Sequence, residues 1–204
     1  MAAVLVRLLM VLCLCTACGS ERTSEPTAEG SPSTTSSAGT AASGIVGRWT
    51  RVVTCQELTS ELRKAQLGPL MRYAWSGQTS STGQSSFAAG SPEPSQAHPC
   101  SGAIARKHSH FFDQSGQFGS LDWLGGQVDD GHYQLGNENT LRIGDVTFHY
   151  RLVHHDTLYL DPVLTNAMVH QARAHPSKFS DAGWAVSVAY SGHPWKRAPC
   201  DGLC

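Results

Sequence analysis

The chain has 204 residues, with 15 lysines and arginines against 16 acidic residues, for a formal charge of −1. It contains no run or stripe of Lys and Arg, which argues against nucleic acid as a partner. Glycine and tryptophan are frequent and long amphipathic helices are few, a balance that favours a β-rich domain.

Residues 1–18 read as a targeting segment. Arg7 precedes an apolar run, residues 8–14, that is too short to cross a bilayer. The run ends in Leu14-Cys15-Thr16-Ala17-Cys18, which resembles the lipobox of bacterial lipoproteins. That resemblance implies cleavage before Cys18 and lipidation of its thiol, with Cys15 as the alternative acceptor. It places the chain on the extracytoplasmic face of the cell membrane, held there by lipid and palmitate. Residues 19–43 are Ser, Thr, Ala, Gly and Pro with a few charges, a composition that stays disordered and serves as a tether.

About 160 residues remain from 44 to 204, enough for one domain with a sizeable core. Residues 45–54 alternate as a buried strand, with Ile45, Gly47, Trp49, Arg51 and Val53 on one face. Thr54-Cys55-Gln56-Glu57 then has the form of a capping box and opens a helix carrying Leu58, Leu62 and Ala65 on one stripe. Gly68-Pro69 stops it, and a second short helix follows through Leu70, Met71, Ala74 and Trp75. Residues 76–101 form a long loop rich in Ser, Gly, Pro and Gln.

Strands are expected at 102–112, 117–124, 132–135, 140–143, 146–153 and 157–160, with turns between them. Residues 125–131, including Asp129-Asp130-Gly131, read as a turn, and 164–174 as a helix stopped before Pro176. Residues 184–190 read as the last strand, with 194–197 as its extension. About eight strands in hairpin succession favour an antiparallel barrel, since closure removes exposed edges. A short helix pair follows the first strand and a helix precedes the last.

Gly47-Arg48-Trp49 resembles the Gly-x-Trp signature of the calycins, the superfamily of lipocalins and fatty-acid-binding proteins. A strand running directly into a helix pair is similar to the fatty-acid-binding arrangement. The resemblance implies a calycin-like barrel and a basic residue packed over the signature tryptophan, for which Arg197 is the counterpart. The Arg-x-Tyr that holds a fatty carboxylate in those proteins has no match near this C-terminus, and no fatty-acid site is carried over. The chain also resembles an uncharacterised class of exported bacterial lipoproteins.

Export gives the cysteines a role. Cys55, Cys100, Cys200 and Cys204 are an even set for an oxidising compartment. Of three pairings, Cys55 with Cys100 and Cys200 with Cys204 is preferred; the rival joins Cys55 or Cys100 to the C-terminus.

His108-Ser109-His110 is the most pointed chemical signal. Both imidazoles face one side of a strand, along with Arg106 and Phe112. One reading has Arg106, His108 and His110 orient the polar group of a small apolar ligand, with Trp49 and Tyr150 lining its pocket. A second has His108 and His110 bind a divalent metal or haem, with His132 or His149 added from a neighbouring strand. A third is a filled barrel that serves only as a structural or interaction module, its aromatic residues packed as core. Asp122, Asp129 and Asp130 are better explained by turn chemistry than by acid–base work. No Gly-x-Ser-x-Gly elbow surrounds a serine, and no catalytic constellation is present in the sequence, so the expectation is a binding protein rather than an enzyme.

Overall fold

The computed structural model describes residues 44–74, 80–180 and 182–204. The leader with Cys18, the tether at 19–43, Trp75 and the first residues of the long loop lie outside them. Eight strands run in sequence order around a closed antiparallel barrel: β1 (Gly47–Val53), β2 (Arg106–Phe112), β3 (Gln117–Leu121), β4 (Gln127–Leu135), β5 (Thr140–Ile143), β6 (Val146–Val153), β7 (Thr157–Pro162) and β8 (Trp195–Ala198). The ring closes where β8 pairs with both β1 and β7.

Alternation on β1 buries Gly47, Trp49, Arg51 and Val53 and turns Val52 out to solvent. The chain then enters α1 (Cys55–Lys64) through the expected capping box: Glu57 N donates to Thr54 Oγ1 at 3.2 Å and Thr54 N to Glu57 Oε2 at 2.9 Å. Leu58 and Leu62 face the core. Gln66 has a φ of 61°, and its turn separates α1 from a 3-10 helix at Gly68–Tyr73 opened by Pro69. Among the described residues two disulfides form, Cys55–Cys100 and Cys200–Cys204. The first ties the start of α1 to the end of the long loop, whose Phe87 also bridges Ala103.

Two sequence expectations are corrected. Residues 125–131 are not one long turn, because β4 begins at Gln127. Asp129, Asp130 and Gly131 pair with Ser120, Gly119 and Phe118 of β3, and this ladder outweighs their preference for turns. The turn is confined to the residues around Asp122. Burial works against the Asp122 charge, but amides of Ser81, Gly126 and Leu124 donate to its carboxylate and hold its pKa below the usual value.

Residues 184–190 are not a strand. Residues 184–189 lie in α4 (Gly183–Ala189), with Tyr190 as its C-cap; among the described residues it follows α2 (Asn166–Ala174) and α3 (Pro176–Phe179) between β7 and β8. Ala185, Val188 and Ala189 sit at i, i+3 and i+4 and form the buried stripe of α4. The closing strand is Trp195–Ala198, which already bonds both neighbours and leaves no place in the ring for another. Pro176 begins α3 as well as ending α2. Among the described residues no helix is long and apolar enough to cross a membrane.

One seam is loose. β4 pairs with β5 only through Tyr133, Gln134 and Leu135. Residues 127–131 pair with β3 but have no described ladder partner on their other side.

Candidate ligand-binding cavity

A cavity of about 720 Å³ opens beside that seam. Residues 128–131 of β4, the β5–β6 hairpin at 143–146 and α4 surround it, with Phe148 and Leu160 on its apolar wall. β2 and β3 contribute His108, His110 and Ser120 to its polar lining. Register sets Arg51 opposite His108 and Trp49 opposite His110, so these four side chains share the inward face. His110 Nδ1 lies 2.9 Å from Ser120 Oγ, and Asp129 pairs with Ser120 across the next ladder.

Aromatic rings enclose the two imidazoles. His108 stacks on Tyr190 at 4.9 Å between centroids, and His110 lies 4.3 Å from the Trp195 ring. The imidazoles are 5.0 Å apart, and Phe118 is 5.2 Å from His110. Burial, and then the Arg51 charge, lowers the His108 pKa to about 4, against a small opposing effect of Asp122. Burial, His108 and Arg51 push His110 well below its ordinary value. Both rings are therefore neutral near pH 7, and each offers one donor and one acceptor. At the rim, burial and the neighbouring Asp130 charge raise the Asp129 pKa.

The structure divides the residues singled out from sequence. His108 and His110 line the cavity. Arg106, on the same strand, does not: its guanidinium lies 4.8 Å from the Trp123 ring centroid. Trp49 and Tyr150 are core residues outside the cavity lining, and the Trp49 indole donates to Ile45 O at 2.8 Å. His132 and His149 are exposed and are not brought to the His108–His110 pair. Among the described residues no group of three or more His, Cys, Asp or Glu is placed to hold a metal ion.

Three residues that sequence reasoning left without a ligand role stand at the inner end. Tyr190 and Trp195 line the cavity, and Arg51 lies behind them, 6.0 Å and 5.0 Å from their ring centroids. The available signal was Arg51 itself, a cation on the inward face of a strand otherwise carrying Gly47, Trp49 and Val53.

Comparison with protein-family models, curated proteins and solved structures gave no match.

Proposed function

We propose that this protein is a lipid-anchored extracytoplasmic binding protein of calycin type whose barrel holds a small, largely apolar ligand. The observation that carries this reading is the cavity of about 720 Å³, walled by Phe118, Phe148, Leu160 and Trp195 and furnished with two neutral imidazoles. Concave, mostly apolar sites with a few convergent polar groups are the usual form of small-molecule sites. A barrel with this much internal space is not filled solid by its own side chains, which argues against a purely structural module. Two disulfides suit an oxidising compartment outside the cytoplasm. The lipobox-like sequence ending at Cys18 supports the anchor.

The test uses the full-length protein and the neutral probe N-phenyl-1-naphthylamine. Tryptophan-to-probe energy transfer reports only probe bound beside the chain. Saturable transfer is expected in the wild type, and Ser120→Phe, which places a ring in the cavity, should abolish it. Transfer that is absent from the wild type, or unchanged by Ser120→Phe, overturns the reading.

A further inference from the structure

Among the described residues, four buried donor atoms at and just behind the cavity wall have no hydrogen-bond partner: Nε1 of Trp195, which lines the cavity, and Nε, Nη1 and Nη2 of Arg51, which lies behind it. Arg51 is 9% exposed and Trp195 is fully buried. Neither side chain can accept a hydrogen bond, and a guanidinium cannot discharge to escape its burial. Leaving such donors unpaired in a protein interior is costly, so groups of this kind call for a partner. The nearby carboxylates do not supply one. Glu57 and Glu61 favour the Arg51 charge through space, but Glu57 is hydrogen-bonded to Thr54 N and Glu61 is engaged by Lys64 and His193.

The geometry points to Arg51 and the Trp195 indole N–H as the head-group end of the cavity, where they pair with an oxyanion carried by an aromatic ligand. This inference rests on the cavity reading above and names the ligand's chemical class. The missing partner must be an acceptor, because every unpaired atom there is a donor. It carries negative charge, because one of the donors is a fixed cation, and planar guanidinium forks match carboxylate, phosphate and sulfonate oxygens. The ligand body is aromatic because rings surround the head-group end: His108, His110, Tyr190 and Trp195, with Phe118 beyond. Ring faces recognise other rings through stacking and edge contacts.

Charge also sets the ligand's direction. Asp129, Asp130 and Asp145 line the cavity on its β4 and hairpin side, away from β1. An anionic head is repelled there and attracted to Arg51, so the acid end lies inward and the uncharged end lies at the mouth. His108 and His110, both neutral, contribute hydrogen bonds without competing for the oxyanion's charge.

A matched pair of probes tests this. 8-Anilinonaphthalene-1-sulfonate and N-phenyl-1-naphthylamine share one aromatic body and differ by a sulfonate. The full-length wild type should bind the sulfonate about ten- to a hundred-fold more tightly, the range for a charge-assisted hydrogen bond. Arg51→Met should remove that preference and leave the neutral probe's affinity unchanged. Trp195→Phe, which keeps a ring and removes the N–H, should weaken the sulfonate a few-fold more than it weakens the neutral probe. Near-UV circular dichroism identifies the variants that keep the native fold. Arg51→Lys, which retains the charge, serves as a second reading if Arg51→Met misfolds, and should retain part of the preference. Equal affinity of the wild type for the two probes, or a sulfonate preference that survives in a folded Arg51→Met, overturns this inference and leaves the cavity reading standing. Failure of both probes to bind overturns the two together.

Discussion

Arg197 on β8 lies over Trp49 on β1, its guanidinium carbon 4.4 Å from the ring centroid. Its nitrogens donate to the carbonyls of Gly44 at 2.7 Å, Val46 at 2.8 Å and His155 at 2.8 Å. The β1–β8 ladder is only three residue pairs long, so this one side chain carries much of the closure. Arg197→Met should lower stability by about 1–2 kcal/mol, the scale of one cation–π contact and a few partly exposed hydrogen bonds. Gly47→Ala should cost at least as much, about 1–3 kcal/mol. Gly47 has a φ of 143°, and a Cβ there would run into Arg197 Nη1. Urea unfolding of the three proteins checks both values, with an unchanged denaturant slope expected.

The two disulfides should differ in weight. Cys55–Cys100 closes a span of 45 residues and Cys200–Cys204 one of 4. A cross-link stabilises mainly by restricting the unfolded chain, so the long span matters more. Replacing Cys55 and Cys100 by alanine should cost about 2–4 kcal/mol. Replacing Cys200 and Cys204 should cost clearly less. Denaturant midpoints of the two double variants decide, and equal losses would count against the ranking.

Much of the barrel was legible in the sequence because its signals are local. The alternation of β1, the capping box at Thr54 and the clean period of β6 each follow from side-chain direction or hydrogen-bond need. The errors arose where two local preferences competed. Trp184-Ala185-Val186-Ser187-Val188-Ala189-Tyr190 satisfies a period of two and a helical stripe equally well. Only the position of Trp195–Ala198 between β1 and β7 decides for the helix. Asp129-Asp130-Gly131 has turn chemistry, which the β3 ladder overrides. At the site, the His-x-His pattern correctly placed two imidazoles on one face. The polar role given to Arg106 followed from sharing that face, but Arg106 is the first residue of β2 and lies beyond the cavity. Arg51 was placed inward by the same alternation. Its lack of a hydrogen-bond partner among the described residues depends on what surrounds it in three dimensions, and no sequence period encodes that.

Stability should depend on pH through the cavity histidines. His108 has a folded pKa of about 4 against 6.5 for the free group, and His110 is lowered in the same sense. Between those values the unfolded chain binds more protons than the folded one. Stability from this source is therefore complete above about pH 6.5 and declines as pH falls toward 4. Urea midpoints for the wild type should drop between pH 7 and pH 5. The drop should be smaller in a His108→Gln, His110→Gln double variant, and parallel curves would show that other groups are responsible.

Membrane attachment should depend on one sulfur. Cys18→Ala is expected to move the protein from the membrane fraction to the soluble extracytoplasmic fraction without altering its fold. Cell fractionation and metabolic labelling with palmitate measure this. A Cys18→Ala protein that stays with the membrane and still takes up label would transfer the role to Cys15.

The loose seam has a second consequence. From Gln127 to Gly131, β4 presents backbone amides and carbonyls with no described ladder partner on the β5 side. An unpaired strand edge is a template for any extended peptide, including the same strand of another copy. Val128 is 45% exposed within this stretch and would favour such an addition. Asp129 and Asp130 oppose it, because two like strands brought edge to edge would set these carboxylates against one another. The acids at the cavity mouth thus act as gatekeepers against aggregation, and they allow the barrel to remain partly unzipped.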